Sequence, residues 1–201
     1  MERSTMKTAI LYVSKHHGNT KRLVDAIANA HDDVDVIDVR ALDKNETPDL
    51  SEYRLIGLAS GIYYSECDRA LTRVAANALS QGDMVFALMT FGSKNKWYGK
   101  DIDSICRMKQ AVLLRIYGCQ GWDTWGPFKL GGGIAKDHPT EDEVRGALEF
   151  YDKLVEDYGE PIEAEFQKRA KRRVQEAQIH RGGLWTLIKR TVNKIFNVFS
   201  H

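Results

Sequence analysis

Residues able to do chemistry gather in three short runs, the first being Ser14-Lys15-His16-His17-Gly18-Asn19-Thr20. Ser14 and Thr20 offer hydroxyls, Asn19 an amide donor, and Gly18 lets a backbone approach closely. At the start of a helix, unpaired backbone N–H groups point outward and the helix dipole favours an anion, which suits a phosphate. A helix-capping turn that binds nothing is the competing use of the same residues. The run is neither GxxxxGK[ST] nor GxGxxG. The second run, Ser60-Gly61-Ile62-Tyr63-Tyr64-Ser65, can cover a planar heterocycle with a tyrosine face and bind a polyol through hydroxyls and amides. The third, Thr90-Phe91-Gly92-Ser93, leads to Trp97-Tyr98 and exposes backbone N–H groups able to reach ring heteroatoms. Tyrosines merely packed on a domain rim are the plainer reading of the second run.

These runs need elements that bring them together. Each follows a short apolar run that reads as a buried strand: residues 7–13, 55–59 and 84–89. Residues 34–39 and 110–116 supply two more strands. Helical spacing appears at Leu23, Ile27 and Ala30, across residues 68–79, and at Ile102, Ile105 and Met108. Thr140 with Glu143 three residues later forms a capping box ahead of Val144, Leu148, Tyr151 and Leu154. Strands alternating with helices imply an α/β, doubly wound, five-stranded parallel sheet. Right-handed crossovers favour the order 2-1-3-4-5, whose ligands sit beyond the strand carboxyl ends, at the switch point between the first and third strands. That is where the three runs converge.

At 43% hydrophobic and 28% charged residues, the composition is that of a water-soluble globular protein. Met1 to Met6 lack a signal-peptide core, and Cys67, Cys106 and Cys119 have no metal-binding spacing. Reduced thiols in a cytoplasmic protein are the expectation. The net charge of +1 hides an asymmetry. Residues 161–201 hold nine basic and three acidic side chains, against 20 and 25 in the first 160. We therefore expect a domain over 1–160 and a separate basic tail over 161–201.

The loop Ser14 to Thr20 recurs with a second signature, Gly118-Cys119-Gln120-Gly121-Trp122-Asp123-Thr124-Trp125-Gly126-Pro127-Phe128, followed by Gly131-Gly132-Gly133-Ile134 and His138-Pro139. On these motifs residues 6–158 resemble the flavodoxins, specifically a short bacterial and archaeal type. The resemblance implies a flavodoxin-like fold holding FMN. It places the phosphate on Ser14, His16, His17, Gly18, Asn19 and Thr20. It places the flavin edge on Ser60, Gly61, Ile62 and Tyr63 and on Thr90, Phe91, Gly92 and Ser93. Tyr63, Trp97 and Tyr98 are the candidates to stack on the ring. Lys15 beside two histidines departs from the neutral loop of well-studied flavodoxins, leaving His16 and His17 as phosphate donors or exposed rings. The segment 118–139 reads either as a buttress beside the third loop or as bracing for the fifth strand, with Cys119 a packed thiol.

The implied function is an electron carrier passing electrons between protein partners, with no nucleic acid involved. A flavin-dependent NAD(P)H, quinone or porphyrinogen oxidoreductase is the alternative on the same fold. In the tail, Ile162, Phe166, Ala170 and Val174 form a narrow stripe, and Gly182-Gly183 is expected to break the chain. Beyond it, Leu184, Trp185, Leu187, Ile188, Val192, Ile195, Phe196, Val198 and Phe199 share one half of a helical wheel. Such a basic amphipathic helix fits docking or homodimerisation, a membrane surface at which the protein would be peripheral, or a partner's groove.

Overall fold

Strand β1 (Thr8–Val13) is buried along its whole length in the computed structural model, as its unbroken apolar sequence requires. The structure describes residues 6–15, 17–93, 95, 98–122 and 135–198, with side chains to residue 179. Helix α1 (Asn19–Ala30) and strand β2 (Val34–Asp38) follow. Next come β3 (Leu55–Tyr63), the two-residue β4 (Glu66–Cys67) and α2 (Arg69–Ala78). Strand β5 (Met84–Phe91), α3 (Lys100–Lys109), β6 (Val112–Gln120) and α4 (Glu141–Val198) complete the order.

Five strands pair in parallel in the order β2-β1-β3-β5-β6. Counting the long strands alone, this is the expected 2-1-3-4-5. Strand β4 is an addition: it pairs antiparallel with the end of β3, Ile62 opposite Cys67 and Tyr63 opposite Glu66. Alternate residues of each strand feed opposite faces. Ala9, Leu11 and Val13 pack with Leu71 and Val74 of α2 and Ile102 of α3. Ile10 and Tyr12 pack with Leu23, Val24 and Ile27 of α1 and with Tyr151 and Leu154 of α4. Gly57 at the sheet centre leaves the space that Phe86 occupies, since a Cβ there would lie 2.6 Å from the Phe86 ring. The helix following β1 therefore covers one face and the helix following β3 covers the other, which opens a crevice between the two strand ends.

The capping box forms as read: Thr140 N donates to Glu143 Oε2 at 2.8 Å and Glu143 N to Thr140 Oγ1 at 3.2 Å. Three boundaries differ from the sequence reading. The last strand begins at Val112, because Gln110 ends α3 in the left-handed region at φ 57°, and it runs on to Gln120. Helix α4 continues through Gly182-Gly183; glycine weakens a helix by about 1 kcal/mol per residue without forbidding its dihedrals. The division at 160/161 also falls inside α4. Ile162 is fully buried and Arg169 is 4% exposed, paired with Asp83 on the turn before β5. Val174 and Ile179 are exposed, so the helix leaves the body before the expected stripe ends.

Candidate functional site

Beyond the carboxyl ends of β1, β3 and β5 lies an open cleft bounded by residues from the three sequence runs. Of the first run, Asn19 and Thr20 line it, whereas Ser14, His17 and Gly18 do not. His17 and Gly18 turn the chain in the left-handed region, at φ 55° and 71°, and α1 begins immediately after them. Gly18 has no side chain to cap the helix, and a Cβ built on it would meet nothing within 4 Å. The amides of the first turn of α1 therefore have no side-chain cap among the described residues. On the same loop, the Ser14 hydroxyl is buried and has no hydrogen-bond partner among the described residues. A buried hydroxyl without a partner is uncommon, because its desolvation goes uncompensated.

Thr20 and Thr90 meet across the cleft floor, their hydroxyls 2.9 Å apart and both nearly inaccessible. Asn19 Nδ2 donates to the Trp122 carbonyl at 2.9 Å. The Trp122 indole stacks on the His17 ring with centroids 3.5 Å apart and planes 19° from parallel. Lys15 forms an ion pair with the buried Asp68, which caps α2 through Ala70 N at 2.8 Å. The Lys15 ammonium also lies 5.4 Å from the Tyr63 ring centroid, so the departure from a neutral loop has a local partner. His16 and Trp97 lie outside the described residues, as do Asp123 and Thr124.

The second and third runs divide. Gly61, Ile62, Tyr63, Thr90, Phe91 and Gly92 line the cleft, whereas Ser60, Ser93 and Tyr98 do not. Ser60 is fully buried, its hydroxyl donating to the Gly61 carbonyl and accepting from Asp68 N. Tyr98 packs against Phe91 at 5.3 Å between centroids and donates its hydroxyl to the Ser93 carbonyl, which corrects its candidacy as the stacking ring. Three lining residues went unassigned in the sequence reading: Tyr64, Gly121 and Trp122. Tyr64 and Ser65 form the two-residue turn of the β3–β4 hairpin at φ 53° and 71°, leaving Tyr64 80% exposed on the rim. Both residues sit where side chains are unfavourable, a strain that concentrates at ligand-binding segments. Trp122 stood in the second sequence signature, and its N–H donates to the His138 carbonyl. Glu143 ties that wall to α4, accepting from His138 Nδ1 at 2.7 Å and from Gln120 N at 3.3 Å. Burial pushes the Glu143 carboxyl up, but these bonds and that from Thr140 N outweigh it and hold the group below its usual range.

The three thiols are buried among apolar side chains. Burial raises all of them, Cys106 to about 11 and Cys119 to about 12, with Cys67 raised as well beside Asp101. A thiol reagent at pH 8 is therefore expected to label none of them in the folded protein and all three in denaturant. Fast labelling of a native thiol would contradict this packing.

The sequence profile of the flavodoxin domain matches residues 9–110. An uncharacterized protein of Methanocaldococcus jannaschii is 32% identical over 147 residues, spanning 72% of this chain and 95% of the relative. Oxidised Flavodoxin 1 and Flavodoxin 2 of Bacillus cereus superpose with a TM-score of 0.54 each, at 15% and 18% identity. They cover 74% and 75% of this chain and are themselves covered at 97% and 99%. At that identity they share the fold with this chain.

Proposed function

We propose, because this chain belongs to the flavodoxin family, that it holds one FMN in the cleft and carries electrons between protein partners. The observation that carries the reading is the Ser14 hydroxyl, buried and without a partner among the described residues, on the loop that leads into a helix N-terminus with no side-chain cap among the described residues. A phosphate there satisfies the hydroxyl and meets the amides of Asn19 and Thr20 with the helix dipole behind them. Thr20 lines the same floor and adds a second hydroxyl. Tyr63 and Trp122 are lining rings that can cover a planar group, Trp122 with one face already against His17.

When bound, FMN supplies the redox chemistry. The chain binds it, screens one edge from water and sets the polarity around it. The acidic first 160 residues suit brief, electrostatically steered encounters with basic redox partners.

Titration with FMN while recording the visible spectrum tests this reading. We expect stoichiometric binding with quenched flavin fluorescence, and a spectrum that does not bleach on adding NAD(P)H alone. Rapid bleaching without a reductase transfers the reading to an enzyme. Absence of flavin binding removes it altogether.

A further inference from the structure

No described residue of α4 lines the cleft, and the path of the helix bears on its use. Arg172 donates to the Gln81 carbonyl at 2.9 Å, and from Arg173 to Ile179 every residue is exposed. The helix nevertheless continues to Val198. At about 1.5 Å per residue, Leu184 lies about 18 Å beyond Arg172 along the axis and Val198 about 39 Å beyond it. A helix leaving the body in this way carries its end away from its own domain.

At about 100° per residue, Leu184, Trp185, Leu187, Ile188, Val192, Ile195, Phe196 and Val198 fall within one half of that helix. Lys189 and Lys194 fall just outside the two borders of this half, about 20° from the nearest apolar position on each side, and Arg190 lies on the polar half. No aspartate or glutamate occurs after Glu176. We propose that residues 184–198 form an anchor that lies flat in the interface of an anionic lipid bilayer.

Three observations select this occupant. The apolar half is wider than the two-position seam of a coiled coil, and its width is that of an interfacial helix. Cations flanking an apolar half can extend toward headgroups while their stems stay among acyl chains. Pairing with a second copy would set one acid-free basic helix against another, whereas an anionic surface complements it. The acidic body is itself repelled by such a surface, so the attraction resides in the tail. Among the described residues no helix is long and apolar enough to cross a membrane. The inference does not depend on the flavin.

Co-sedimentation of the full chain with phosphatidylcholine vesicles, with and without phosphatidylglycerol, tests it. We expect binding to the anionic vesicles alone, weakened by salt. The combined variant Lys189→Gln, Arg190→Gln, Lys194→Gln should bind on the order of a hundredfold more weakly, at about 1 kcal/mol per cation. Its thermal unfolding should match the parent, which separates lost binding from lost fold. Ile188→Asp with Ile195→Asp should also abolish binding. The proposal is overturned by equal binding of the neutralised variant or by no binding to anionic vesicles. It is equally overturned if sedimentation equilibrium without lipid shows a dimer that the Ile188→Asp, Ile195→Asp variant loses, which assigns the face to a second copy.

Discussion

Replacing Arg169 by methionine is expected to cost about 3–5 kcal/mol of folding free energy, read from urea denaturation. For a chain of this size that lowers the melting temperature by roughly ten degrees. Arg169 is 4% exposed and pairs with Asp83, itself 2% exposed, while its second terminal nitrogen donates to the Tyr53 carbonyl at 2.6 Å. Asp83 in turn accepts from Ser80 N at 2.7 Å, and its carbonyl receives Val112 N. One ion pair thus ties α4 to the turn before β5 and, through Tyr53, to the segment before β3. Burial works against both charges, pushing the Asp83 carboxyl up and the Arg169 guanidinium down. The pair's net contribution is therefore modest, while removal of one partner strands the other in the interior. Asp83→Asn combined with Arg169→Met should cost clearly less than the two single losses added together. A single-variant loss below about 1 kcal/mol would show that this contact does not anchor α4.

The second large effect concerns ligand rather than fold. Ser14→Ala is expected to weaken FMN by roughly 10- to 150-fold, because a charge-assisted hydrogen bond of about 1.5–3 kcal/mol is lost. Riboflavin, which lacks the phosphate, should bind the parent and the variant alike. The melting temperature without ligand should not fall, since the removed hydroxyl has no partner among the described residues. Thr20→Val is the informative contrast. Its hydroxyl is shared with Thr90 in a buried pair, so this change should weaken FMN and also lower stability. Equal weakening of FMN and riboflavin by Ser14→Ala would place the phosphate elsewhere.

Sequence reading succeeded where the controlling interactions are local. The apolar runs became β1, β3 and β5, and the Thr140–Glu143 box closed because both its bonds span three residues. It failed where a residue's partner is distant in the chain. Trp122 is held by Asn19, 103 residues away, and Arg169 by Asp83, 86 residues away. Arg169 looked like one more solvated charge of a basic tail, because sequence alone does not reveal which cation will be buried. Ser60 and Tyr98 show the converse: a hydroxyl and an aromatic ring suggested a ligand, and the fold ties both hydroxyls to its own backbone. The Gly182-Gly183 pair misled for an energetic reason, since a preference of about 1 kcal/mol per residue biases a helix end without fixing it.

That α4 continues from Glu141 to Val198 locks its two ends in phase. Each inserted residue advances the far end by about 1.5 Å and rotates it by about 100°. Two residues inserted among 177–179, where the helix is exposed, leave the buried contacts of α4 with the domain in place. They nevertheless turn the distal apolar half by about 200° relative to the cleft. Seven inserted residues restore the angle to within about 20° while lengthening the arm by about 10 Å. Which way the cleft faces, for a body held by the end of this helix, is thus an angle written in residue count, adjustable without touching a single side chain that binds.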